Sequence, residues 1–178
     1  MNKEMNYKLT ESNIIHKGKV FDLKIDKIKY DSGNDGVREV AVHNGGAVVV
    51  PVKENGDIIL VKQFRYPLNK FLLELPAGKL DLNEDPLICA RRELIEETGF
   101  RTENFKHLGS ISTTPGFCTE ILHIYLAKDL REGSHNREEG EYGMEVFSYP
   151  LDHVIEMIKK GDIIDSKTIA GIFYYTNM

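Results

Sequence analysis

At 178 residues the chain is of single-domain length and can bury a sizeable core, and its 41% apolar and 29% charged residues are those of an ordinary soluble globular protein. A formal charge of −5 argues against nonspecific nucleic-acid binding, which needs basic surface, and leaves any anionic substrate to be received by metal ions and local arginines. Two cysteines without metal-ligand spacing, a polar Met1–Thr10 stretch and no long apolar run predict a cytoplasmic protein with reduced thiols and no membrane span.

Residues 7–43 read as an antiparallel β element. Phe21, Leu23 and Ile25 alternate with Asp22, Lys24 and Asp26, and Ile28 and Tyr30 resume after a slip that predicts a bulge. Asp31 to Gly36 is a turn, and Val37 to His43 returns as a strand. Such a ribbon has too little core to stand alone and must lie on its own domain or on a partner subunit. Gly45-Gly46 opens Ala47–Val52, a continuous apolar run suited to a strand buried on both faces. Glu54-Asn55-Gly56-Asp57 predicts a hairpin turn into Ile58–Tyr66. Arg65, at the end of that strand, is either a surface cation or a phosphate clamp, with the two readings evenly balanced. Phe71–Leu75 leads into Pro76-Ala77-Gly78, where a backbone carbonyl, that of Ala77, can face a bound cation.

The stretch Gly78–Phe100 centres on a helix, capped by Asn83 or Asp81, with Pro86 in its first turn and Gly99 as a left-handed stop. Leu87, Ile88, Leu94 and Ile95 form its expected sheet-facing stripe. Glu93, Glu96 and Glu97 stand at i, i+3 and i+4, so their carboxylates share one face. That face is either a solvated surface or a divalent-metal site, since clustered oxygens suit Mg²⁺ or Mn²⁺. If partly buried, each pair would repel by roughly 4 kcal/mol at an effective dielectric near 20, and only cations would make the arrangement tolerable. Beyond it come a strand at Phe105–Ser112, a loop at Thr113–Glu120 and a strand at Ile121–Ala127. A charged loop from Lys128 to Gly143 then carries Glu132, Glu138, Glu139 and Glu141. A strand at Met144–Tyr149, an amphipathic helix at Leu151–Lys160 and a short helix at Ser166–Thr176 close the chain. Phe117 either stacks on a base or ribose or belongs to the core.

Gly78, Glu84, Arg92-Glu93-Leu94, Glu96-Glu97 and Gly99-Phe100 fill every fixed position of G-x5-E-x7-R-E-U-x-E-E-x-G-U, where U is a bulky apolar residue. Average composition yields this by chance with odds on the order of 10⁻⁶ or less. The pattern is the Nudix box, and the chain resembles a Nudix hydrolase. Arg38-Glu39 ahead of a Gly-Gly strand, Gln63-Phe64-Arg65, Glu74 to Gly78, Thr114-Pro115-Gly116-Phe117 and Ser166-Lys167-Thr168 make it similar to the ADP-ribose pyrophosphatases. Pro115 stands sixteen residues after Gly99, where relatives acting on ADP-ribose carry a proline.

The element pattern predicts an α+β fold, an α/β/α sandwich around a mixed sheet, with residues 1–43 as a separate β element and 44–178 as the catalytic domain. The resemblance implies hydrolysis of ADP-ribose to AMP and ribose 5-phosphate with Mg²⁺ or Mn²⁺. Glu93 and Glu97 would be the principal metal ligands, and Glu96 and the Ala77 carbonyl would complete the set. Arg92 would brace Glu84, and a glutamate of the charged loop, Glu141 in preference to Glu139, would act as base. Arg65, Pro115, Gly116 and Phe117 would contact substrate. Arg38 and Glu39 would reach the adenine of a partner subunit in a homodimer that exchanges residues 1–43. A hydrolase of nucleotide sugars or dinucleoside polyphosphates, or a non-catalytic ADP-ribose sensor, is the alternative.

Overall fold

The computed structural model describes residues 6–133 and 143–178. They divide into two compact units, one running to Asn44 and taking in Ser112–Glu120, the other comprising Gly45–Ile111 and Ile121–Met178. The segment Ser112–Glu120, which the sequence reading gave to the second domain, therefore groups with the N-terminal ribbon.

The first unit is an antiparallel sheet of β1 (Tyr7–Lys17), β2 (Asp22–Tyr30) and β3 (Asp35–Val42) in chain order. The β2–β3 register runs unbroken from Asp22↔Val42 to Lys29↔Asp35, so the expected bulge in β2 is absent. The extra residues sit instead in β1, between Leu9 and Glu11 and between Ile14 and His16. The slip in β2 has another cause. Leu23 and Ile25 face one side of an even strand and Ile28 and Tyr30 the other, and Ile28 is fully buried. Residues 112–120 join β3 through Ala41, whose N–H donates to Phe117 O (2.7 Å) and whose carbonyl accepts from Thr119 N (3.0 Å).

In the second unit β4 (Gly46–Pro51) is buried along its whole length. It pairs in parallel with β10 (Ile121–Lys128) and antiparallel with β7 (Ala77–Lys79), and β9 (Asn104–Ser112) lies beyond β10. Alternation along β4 serves both faces. Ala47 and Val49 pack with Cys89, Ala90 and Leu94 of α1 (Pro86–Thr98). Val48 and Val50 pack with Leu75, Val154 of α2 (Leu151–Lys160) and Ile172 of α3 (Ser166–Thr176). A strand covered on both sides by helices needs an unbroken apolar run, and the result is an α+β sandwich of helices about a mixed sheet. A second antiparallel sheet has the order β12 (Glu145–Tyr149), β5 (Ile58–Arg65), β6 (Lys70–Glu74). The expected hairpin from β4 to β5 does not form. The turn closes with Lys53 N on Asp57 O (2.9 Å), but only the bridge Val52↔Ile58 follows before the strands part into different sheets. A short ribbon pairs β8 (Phe100–Arg101) with β11 (Arg131–Glu132). Among the described residues no helix is long and apolar enough to cross a membrane.

The start of α3 clamps the end of β6. Asp165 caps the helix, accepting from Thr168 N (2.9 Å) and from the Thr168 hydroxyl (2.6 Å), and the same Thr168 oxygen accepts from Leu75 N (2.8 Å). Thr168 is fully buried. Thr168→Val, nearly isosteric, leaves the Leu75 N–H without a partner and should cost about 1–3 kcal/mol. A urea titration should show the midpoint lowered with the slope unchanged; an unshifted midpoint would show that the clamp carries no stability.

Candidate active site

Helix α1 begins at Asp85, whose side chain accepts from Leu87 N (2.8 Å), with Pro86 in the first turn. The cap is thus neither Asn83 nor Asp81. Asn83 has φ 63° and lies in the preceding turn, where a left-handed residue cannot enter a helix. Gly99 ends the helix at φ 76° and donates to Ile95 O (2.9 Å). The packing stripe also differs from the expected one. Ile88 is exposed, and the buried face consists of Cys89, Ala90, Glu93, Leu94, Glu97 and Thr98. Two carboxylates, Glu93 and Glu97, lie on the buried face beside Leu94, where the expected stripe of Leu87, Ile88, Leu94 and Ile95 had no place for them.

Glu93 is 6% and Glu97 3% exposed. Each reaches the strand that precedes the helix. A Cβ on Gly78 would stand 1.7 Å from Glu93 Oε1, so only glycine lets that carboxylate lie against the backbone. Glu97 Oε2 accepts from Ala77 N at 3.0 Å. Arg92 collects the remaining acids. Its Nε and Nη2 fork onto Glu84 Oε1 and Oε2 (3.1 Å each), and its Nη1 reaches Glu93 Oε1 (2.6 Å) and Glu96 Oε2 (3.0 Å). Glu84 also accepts from Asp81 N (2.9 Å), which ties the lead-in loop to the helix. The Arg92 guanidinium holds the Glu84 carboxyl below its ordinary pKa, and Glu84 in turn pushes that of Arg92 up. Cys89 is buried beside the carbonyls of Gly78 and Lys79, and burial pushes its thiol up to about 12, which leaves it inert.

Ala77, Glu84, Arg92, Glu93, Glu96 and Glu97 therefore form one cluster. With Glu93 and Glu96 turned onto Arg92, no three acidic, histidine or cysteine side chains among the described residues converge on a single point. The donor chemistry nonetheless suits a hard divalent cation. All donors are oxygens, and two of the carboxylates are taken almost wholly from water on one helix face.

Arg65 is not a solvated surface cation. It forks onto Glu74, with Nε to Oε1 at 2.8 Å and Nη2 to Oε2 at 2.6 Å, and Glu74 is 1% exposed. Lys167 bonds the same Glu74 Oε2 and also pairs with Asp165 at 3.0 Å. Burial pushes the Glu74 carboxyl up, but the bonds from Arg65 and Lys167 outweigh it and hold its pKa below the ordinary range. The Glu74 bond raises the pKa of Arg65, and Glu97 adds to this, which places Arg65 within electrostatic reach of the cluster. Sequence reasoning gave Glu74, Asp165 and Lys167 no role. The available signal was one carboxylate closing the apolar run Phe71-Leu72-Leu73, since a charge in a buried strand demands partners.

The other residues singled out in the sequence lie in the first unit or outside the described residues. Arg38 donates to Tyr30 Oη (2.7 Å) and to Val37 O (2.9 Å), and Glu39 pairs with Ile25 in the β2–β3 register. Pro115, Gly116 and Phe117 lie in the segment bonded to Ala41, and Phe117, at 59% exposed, is not a core residue. Glu139 and Glu141 lie outside the described residues.

Residues 42–171 match the NUDIX domain family model. The chain is 37% identical over 176 residues to the "Methanol dehydrogenase activator" of Bacillus methanolicus, covering 98% of this chain and 95% of that one. It is 36% identical over 174 residues to the "ADP-ribose pyrophosphatase" of Bacillus subtilis (strain 168), covering 97% and 94%. A crystal structure of an "ADP compounds hydrolase" superposes with a TM-score of 0.87 at 18% identity, over 99% of this chain and 96% of that one, which shows a shared fold.

Glu74 generates a pH dependence with a defined sign. Its folded pKa is lowered, so its contribution to stability is present above the unfolded value of about 4.3 and is lost as pH falls through the lowered folded value. Glu74→Gln leaves the partly buried Arg65 without its counter-charge and Lys167 with Asp165 alone, and should cost about 3 kcal/mol at neutral pH, the low end for a broken buried pair. Urea midpoints measured between neutral pH and pH 3 should fall less steeply for E74Q than for the wild type. Parallel curves would show that Glu74 does not titrate on unfolding.

Proposed function

Since the chain belongs to the NUDIX domain family, we propose that it hydrolyses the pyrophosphate bond of ADP-ribose to AMP and ribose 5-phosphate with a divalent cation, Mg²⁺ or Mn²⁺. The reading is carried by one observation, three carboxylates on a single face of α1 with two of them buried against the Ala77-Gly78 strand. The substrate follows from near full-length similarity to the Bacillus subtilis ADP-ribose pyrophosphatase.

Glu93 and Glu97 would be the principal ligands, joined by Glu96 and the Ala77 carbonyl. A cation held by these groups would supply positive charge to offset that of the pyrophosphate and to acidify the attacking water. Arg92 braces the centre through Glu84, and its Nη1 bonds Glu93 and Glu96. Arg65, fixed by Glu74 and within electrostatic reach of Glu97, would receive a phosphate oxygen. Glu141, in preference to Glu139, would take the proton from the attacking water as its oxygen closes on phosphorus and the bridging P–O bond breaks. Phe117, exposed and aromatic, with Pro115 and Gly116 beside it, would pack on the nucleoside. We place the protein in the cytoplasm, where its free Cys89 and Cys118 stay reduced.

The working unit would be a homodimer. Leu9, Ile15, Val20 and Val37 of the N-terminal ribbon are more than half exposed, a set of apolar side chains that a second copy would cover. In that dimer Arg38 and Glu39 would face the partner's substrate. A second reading rests on the relative named as a methanol dehydrogenase activator, and is checked by adding the protein to a methanol dehydrogenase and following its rate.

With saturating Mg²⁺, ADP-ribose should be turned over in preference to sugar nucleotides and dinucleoside polyphosphates, and Glu97→Gln should lower that turnover by orders of magnitude while circular dichroism stays unchanged. Normal turnover by E97Q at limiting Mg²⁺ would sink the assignment. Glu141→Gln should reduce kcat with little change in KM, because a base acts in the transition state. The same loss in E139Q alone moves the base by two residues. Light scattering at micromolar concentration should give twice the chain mass, and a fully active monomer would refute the shared site.

A further inference from the structure

The ribbon β8–β11 sets two arginines directly opposite each other, Arg101 and Arg131, in an antiparallel register. Opposed residues of such a pair project to the same side, where like charges destabilise. Neither guanidinium has an ion-pair partner among the described residues. Both line a cleft of about 550 Å³, and Arg91 of α1 lines it too. Three cations therefore surround one cavity in a chain whose formal charge is −5.

The acids of the cleft are already engaged. Glu103 pairs with Arg91 Nη2 at 2.9 Å but is 87% exposed, and Asp129 accepts from Asn104 Nδ2 at 2.7 Å. Arg91 also lies 5.9 Å from the centre of the Phe105 ring, and its Nε is buried without a hydrogen-bond partner among the described residues. The opposed arginines of the cleft ask for an anion rich in oxygen acceptors.

This cleft is not the carboxylate centre. Arg91 and Ile95 lie one above the other on α1, and Glu93 and Glu97 do so two residues further on, about 200° around the helix axis. We propose that the cleft is a second binding site, taking a phosphorylated small molecule whose phosphate sits between Arg101 and Arg131, with Arg91 lining the same cleft. The volume suits a ligand between pyrophosphate and a nucleotide in size, and planar guanidinium groups suit phosphate.

Chelation separates the two sites, since without a divalent cation the carboxylate face repels anions. Calorimetric titration of the full chain with inorganic pyrophosphate in EDTA should show one equivalent bound, more weakly as salt rises. Arg101→Gln with Arg131→Gln should weaken this binding at least tenfold, and Arg131→Gln alone should weaken it less. Glu97→Gln should leave it unchanged. Removing the repulsion should leave the double variant melting at or above the wild type without ligand, and pyrophosphate should raise the wild-type Tm only. No binding to the wild type, binding that survives R101Q/R131Q, or binding lost in E97Q would each overturn the site.

Discussion

Negative charge buried beside the main chain is the constraint on which the catalytic unit depends. Glu74, Glu93 and Glu97 are each less than a tenth exposed, and an uncompensated carboxylate at such depth would shift its pKa and neutralise. Each has a different remedy. Glu74 is clasped by Arg65 and Lys167, Glu93 shares Arg92 with Glu84 and Glu96, and Glu97 takes the Ala77 N–H. These remedies join β5, β6, β7, α1 and α3, so the polar contacts that tolerate the charges also fix the elements around them.

The scaffold makes this possible by removing choice from β4. Ala47 and Val49 lock α1 against one face while Val48 and Val50 lock α2 and α3 against the other. With α1 held by Cys89, Ala90 and Leu94, its next residues around the axis, Glu93 and Glu97, are driven against the β7 backbone. Gly78 is the side chain that has to be missing for them to fit. Interiors at crystal-like density do not accommodate a methyl group at 1.7 Å from an oxygen.

Much of this was legible in the sequence, and the failures have physical reasons. The run Ala47–Val52 announced a strand buried on both faces, and the spacing of Glu93, Glu96 and Glu97 placed three carboxylates on one helix face. The cap was misread because Asn, Asp and Asp compete at positions 83, 81 and 85, and only backbone dihedrals separate a turn residue from a cap. The buried stripe was misread because hydrophobic periodicity gives a buried glutamate no weight. Strand β1 left little trace because it is exposed along almost its whole length and takes its order from pairing with β2. The pairing of Ser112–Glu120 with Ala41 spans some seventy residues of chain, and no local pattern encodes a contact of that separation.

The same logic of compensation runs in the opposite sense across α1. On one side acids crowd together and arginine answers them. On the other, Arg91, Arg101 and Arg131 line one cleft, and its acids among the described residues, Glu103 and Asp129, are exposed or already bonded to an amide. A fold indifferent to ligands would balance both faces from within, as the Arg65–Glu74–Lys167 group does. Where like charges are instead held together by the backbone register, as Arg101 and Arg131 are, no partner answers them among the described residues, and an anion from solution would. On the two proposals made above, divalent cations would answer the first face and phosphate the second, so one helix would present opposite charge to two classes of ion without either set of side chains cancelling the other.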